Sequence, residues 1–363
     1  MSDLKGFNYS TITGRINNRE NLLDINAEIP QFSYKTTSFY NLALKGSGTM
    51  NNLSLETNIA DVYINDSLHF PGTTININSA NDTSDVKIVT SASQTLNAAN
   101  LSAKVNTRAN GISILFNEST FDINGKSWTI NKNGELVLSR DLVSAEGVRI
   151  YNGQQEILIT TVPSDIGNTN DIKINLQKIN IGDFTPYFVR SNRLEGLLTA
   201  TVDIIDPFGK LQIDVSGDAE QFRLDDDSVG RLALNANYNQ KTGKVNFNGV
   251  SDNQDYKFDL KGVFNTLDST NEKQLDIVTN LNNTKIDLLE RYLSSIFTSV
   301  TGFATGQLRI VGPLNNLKYL GDVGLKEGKL HVGFTNVTYL VPEANSNSKM
   351  TGSISALSLY ETL

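Results

Sequence analysis

The chain predicts an all-β protein: a long antiparallel sheet, curled into a U-shaped trough, with one or two short amphipathic helices. Three observations carry this. Apolar residues alternate with Asn, Asp, Ser and Thr along most of the sequence, the pattern of half-buried strands with one dry and one wet face. Asn-Gly pairs recur between such runs and mark tight turns. Only 39% of the 363 residues are hydrophobic and 8% aromatic, too thin for a deep layered core. With turns every ten or so residues, roughly thirty strands at about 4.8 Å each would extend about 140 Å. Open sheets curl or split well before that. A trough with its apolar face inside hides that face without a second sheet.

Along the chain, one strand-rich passage occurs three times, near residues 10–45, 193–238 and 299–340. Leu194-Glu195-Gly196 through Ile204-Ile205-Asp206-Pro207 superimposes on Val300-Thr301-Gly302 through Ile310-Val311-Gly312-Pro313 at an offset of 106. Phe32, Ser38 and Leu42-Ala43-Leu44 match Phe222, Ser228 and Leu232-Ala233-Leu234 at an offset of 190. The unequal offsets describe an irregular array with inserted strands, not a fixed-period solenoid. Segments 1–180, 181–285 and 286–363 are the expected parts of one continuous elongated structure.

Hairpin turns are expected at Asn110-Gly111, Asn124-Gly125, Asn133-Gly134, Asn152-Gly153 and Lys241-Thr242-Gly243-Lys244. Trp128, the only tryptophan, follows one of them and reads as packing at the edge of the apolar face. The clearest strands are 171–177, 211–215, 244–248 and 256–260. Between them Asp183-Phe184-Thr185-Pro186 predicts a helical turn. From Ile286 to Val300, Leu289, Tyr292, Leu293, Ile296, Phe297 and Val300 fall three and four apart, with Asp287 and Glu290 early. That spacing predicts an amphipathic helix, packed on the sheet as a lid. Residues 343–348 read as a loop.

Recognisable catalytic signatures are missing. The two histidines, His69 and His331, sit in strand-like contexts, and no nucleophile elbow, Walker loop, dinucleotide fingerprint or zinc-binding helix is present. Asp225-Asp226-Asp227 leads straight into a strand, without the later ligands of a calcium loop. We therefore expect no catalytic residue, no metal and no cofactor, and a protein that is not an enzyme. A net charge of −8 supplies no basic stripe, so nucleic acid is not an expected partner. The absence of cysteine removes disulfides and thiolate chemistry. No 18-residue apolar run is present.

The passage Val300-Thr301-Gly302-Phe303-Ala304-Thr305-Gly306-Gln307-Leu308-Arg309-Ile310-Val311-Gly312-Pro313, followed by Gly321, Gly328 and 333–339, resembles the TamB family of envelope proteins. Phe121 through Trp128, with Asn133-Gly134 after it, adds to the resemblance. TamB proteins fall within the AsmA-like group, and the likeness is strongest to forms from Bacteroidota. It implies a curled "β-taco" groove in the periplasm, anchored in the inner membrane by an upstream helix. It also implies a BamA/TamA-type outer-membrane barrel as partner, through regions not evident here. Members are thought to carry phospholipid acyl chains between the membranes, to assist outer-membrane protein assembly, or both; this chain would be a middle-to-late portion.

Under this reading the alternating apolar residues line the groove. They are Ile172, Ile174 and Leu176; Leu211, Ile213 and Val215; Val245 and Phe247; Phe258 and Leu260; Leu308 and Ile310; Val332 and Phe334. Two other classes stay open: a secreted β-helical adhesin or autotransporter passenger, which would have regular coils and a filled core, and a polysaccharide-active β-sheet enzyme, which would need paired carboxylates and aromatic platforms.

Overall fold

The computed structural model describes residues 3–49, 51–64, 68–91, 96–140, 142–166, 169–185, 193–225, 227–267, 274–287, 290, 297–313 and 317–344. It is nearly all β. Twenty-five strands form an open sheet that does not close into a barrel, and every described pairing is antiparallel. Two units divide the chain after Lys178, and residues 189–363 belong to the second. The structure thus places 194–285 and 286–363 in one unit.

In the first unit, β1 (Leu4–Gly6) and β2 (Thr11–Asn17) pair end to end with β3 (Leu22–Tyr34). The chain then meanders through β4 (Thr37–Gly48), β5 (Asn52–Ile64), β6 (Leu68–Ala80), β7 (Thr83–Thr90) and β8 (Leu96–Arg108). β8 is flanked by two short strands, β9 (Gly111–Phe116) and β10 (Ser119–Ile123). β11 (Lys126–Ile130) pairs with β10, and β12 (Glu135–Ser139) with β9. β13 (Val143–Glu146) and β14 (Val148–Asn152) follow on β12 and β11, then β15 (Gln155–Pro163) and β16 (Asn170–Asn180).

Three ladder positions are therefore each filled by two short strands in line. This corrects one turn. Asn124-Gly125 is a two-residue hairpin with φ of +50° and +73°, but Asn133-Gly134 lies between β11 and β12, which do not pair with each other. It kinks one extended run, with Phe116 N–H donating to the Gly134 carbonyl at 2.9 Å. Positive φ at Asn133 (+70°) suits a bulge as well as a hairpin.

The second unit starts with a one-turn helix, α1 (Ile181–Phe184), capped by the Asn180 side chain, which accepts from Gly182 N–H at 3.0 Å. Here the expected helical turn is present, two residues early. The meander continues through β17 (Leu194–Ile205), β18 (Gln212–Leu224), β19 (Asp227–Asn239), β20 (Lys244–Asp252), β21 (Lys257–Asn265), β22 (Leu275–Lys285), β23 (Phe297–Gly312), β24 (Lys318–Val332) and β25 (Val337–Ala344). Many strands run 11 to 16 residues, which is why there are 25 and not thirty.

The predicted helix over 286–300 is shortened. Phe297 through Val300 already belong to β23, where Val300 stands opposite Leu330. Thr298, Val300 and Thr301 are β-branched and favour the strand. Val300 is 1% exposed, in a cluster with Ile286, Ala304 and Leu330. Of the lid residues, Leu289, Tyr292, Leu293 and Ile296 lie outside the described residues, and the Phe297 backbone opens β23.

The repeat has a structural cause. Gly6, Gly196 and Gly302, at the same offsets of 190 and 106, all have positive φ (+102°, +139° and +123°). A Cβ there would lie 2.7 Å from Phe32 Cα, 3.1 Å from Phe222 Cα and 2.8 Å from Gly328 Cα, three positions related by those offsets. In the second and third copies a left-handed residue sits at the bulge of the neighbouring strand: Gln221 (φ +51°) and Glu327 (φ +55°). A bulged strand bends and twists more sharply. Buried Val300, Ala304 and Leu330 lie at this bend in β23 and β24.

Candidate functional site

Because directly opposed residues in an antiparallel ladder share a face, register assigns each side chain to one side of the sheet. In the second unit one row runs Val202, Val215, Ala236, Phe247, Gly262, Ile277, Ile310. Beside it runs Ala200, Gly217, Leu234, Gly249, Leu260, Thr279, Leu308, Gly321. Further rows pass through Ile213, Tyr238, Val245 and Phe264, and through Leu232, Ser251, Phe258 and Leu281. None of these positions carries a charge.

The opposite face is built from the alternate residues. Asp203, Asp214, Asn237 and Asn246 form one row there, with the Asn237 amide donating to the Asp214 carboxylate. Arg231 pairs with Asp218 at 2.7 Å and Arg309 with Asp276 at 2.6 Å. The hydrogen bond to Asp276 raises the Arg309 pKa further. Between the Asp203–Asn246 row and the Ser216, Asn235, Asn248, Lys261 row lies a shallow polar furrow of about 520 Å³.

Most of the expected groove residues come together on the uncharged face. Ile213, Val215, Val245, Phe247, Phe258, Leu260 and Ile310 are half-buried, and Leu308 is buried. Leu211 precedes β18, its carbonyl accepting Gln240 N–H at 3.0 Å. Val332 ends β24 opposite Val337. Phe334 is not on this face: it sits in the turn between β24 and β25, 97% exposed. Alternation from Val332 carries the pattern past the strand end, where Gly333 and left-handed Asn336 (φ +54°) reverse the chain.

Ile172, Ile174 and Leu176 lie in the first unit, on β16, opposite Thr161, Ile159 and Ile157. Their face belongs to that unit's own apolar rows, such as Ile25, Gly46, Leu55, Ile77, Val86, Ala103. Trp128 is fully buried there, opposite Phe121. Residues not anticipated include Leu234, Ala236, Tyr238 and Ile277. Their signal was the same alternation, in Leu232-x-Leu234-x-Ala236-x-Tyr238.

Polar chemistry elsewhere is sparse. His69 lies in β6, its Nε2 2.6 Å from Asp61 Oδ1 and its ring stacked on Tyr63. His331 contacts the Thr338 hydroxyl at 2.9 Å. Asp225 is in the β18–β19 turn and accepts the Arg193 N–H at 2.6 Å; Asp226 lies outside the described residues. Among the described residues no three His, Asp or Glu side chains could hold a metal together. No helix among them is long and apolar enough to cross a membrane.

Comparison with known proteins finds no matching family model, no matching curated protein and no matching solved structure.

Proposed function

We propose that this protein carries lipid acyl chains on the uncharged face of its open sheet, as a non-enzymatic component of a bacterial envelope. The observation behind this is that whole cross-strand rows lack charge, yet their large side chains stay only half-buried. A soluble sheet that leaves such a face open needs something to cover it. An acyl chain gains about 0.8 kcal/mol for each methylene removed from water, and a headgroup would stay hydrated at the edge. The resemblance to TamB-like proteins adds a setting: the periplasm, an inner-membrane anchor upstream, and an outer-membrane barrel as partner.

The test is extraction of protein purified without detergent, followed by mass spectrometry against a soluble control protein. The expected result is reproducible, near-stoichiometric phospholipid. Folded protein with none would overturn the proposal.

A further inference from the structure

Gly262 stands in the interior of β21, between Phe247 on β20 and Ile277 on β22. Its φ is not in the left-handed region, so its backbone would accept any residue. A glycine inside a strand then marks a place where something comes close. A Cβ here would lie 2.7 Å from Cε2 and 2.9 Å from Cε1 of Phe247, so the phenyl ring lies over the glycine. Little holds the ring there. Its partner on β19 is Ala236, the next residue on its own face is Gly249, and it is only half-buried.

We propose that the recess over Gly262 is a seat for an acyl segment, and that Phe247 is a movable plug filling it when the face is empty. The inference rests on the lipid-carrying reading above and makes it local. With the ring lodged, neither ring nor recess is fully open to water. An arriving chain takes the seat as the ring turns about its χ angles towards the space left by Ala236 and Gly249, and the ring then lies against the chain. Glycine at 262 provides the depth, and phenylalanine at 247 the stopper.

Two substitutions on the same pair should act in opposite directions. Phe247→Ala empties the seat, whereas Gly262→Ala denies it to ring and chain alike and pushes the ring outward. The readout is labelling by a diazirine-bearing C16 fatty acid, as the share of crosslinks within residues 244–265 by mass spectrometry. Phe247→Ala should raise that share severalfold and Gly262→Ala should lower it severalfold. The double substitution removes the clash and should restore labelling and, if the glycine variant misfolds, the strand signal in circular dichroism. Both single variants moving in one direction, no change in either, or no rescue would overturn the plug while leaving lipid carriage standing. A wild-type protein whose apolar rows take no label at all would instead overturn lipid carriage, and the plug with it.

Discussion

Tyr256 shows how one side chain ties several elements of the second unit together. It lies at the β20–β21 turn, where the Asn253 side chain accepts the N–H of Asp255 (2.8 Å) and of Tyr256 (3.1 Å). The ring is 5% exposed, and its hydroxyl is 3.0 Å from Asp287, just past β22, and 3.4 Å from Asp227, at the start of β19. Burial first, then the hydrogen bond and charge of Asp287, then Asp227, hold the phenol pKa above its usual 10. A hydrogen bond to a charged acceptor contributes about 2 kcal/mol, so Tyr256→Phe should lower unfolding stability by about that much at neutral pH. The sign with pH follows from linkage: the native state binds this proton more tightly than the unfolded state. The stabilisation is therefore complete below pH 10 and declines as pH rises from there through the folded-state pKa. Denaturant titrations of both proteins at pH 8 and above pH 10 should show their gap narrowing; a gap independent of pH would refute the linkage.

At the scale of elements, the bulge is the repeated part. Gly302 combines a positive φ with a partner backbone 2.8 Å from where a Cβ would stand. Gly153, also at positive φ (+58°), faces nothing within 4 Å. Left-handed backbone costs an L-residue about 1–2 kcal/mol. Gly153→Ala should thus cost about 1 kcal/mol by chemical denaturation, and Gly302→Ala clearly more, because the strand pair must also spread. Equal losses would mean that the close approach is not what requires glycine. Such devices explain how far the fold could be read from residues. Period-two alternation exposed most strands, and constant offsets exposed three copies. The first copy was traced only to residue 10, although the same offset of 190 reaches back to Gly6. Asn-Gly looked alike at a hairpin and at a mid-strand kink, since both need left-handed backbone. The stretch from Ile286 to Val300 carries helical spacing, but its last residues are captured by pairing between β23 and β24. The groove face was legible wherever large apolar residues alternated; Gly217, Gly249 and Gly262 share that face yet leave no hydrophobic mark.

For the molecule as a whole, the question is whether the uncharged face is a core or a binding surface, and charge distinguishes them. A buried, unpaired carboxylate costs far more than a native protein's stability can spare, so aspartate in a filled core would unfold the chain. On a face that is open to water, the carboxylate stays hydrated, and its penalty falls only when an acyl chain covers it. Ile213 and Ile310 are half-buried members of the second unit's uncharged rows. The double variant Ile213→Asp/Ile310→Asp should therefore keep its strand signal in circular dichroism while losing most co-purified phospholipid. Phe334→Asp, in the exposed β24–β25 turn, should change neither. Unfolding of the double variant would mark the face as a packed core, and intact folding with undiminished lipid would place the lipid somewhere other than these rows.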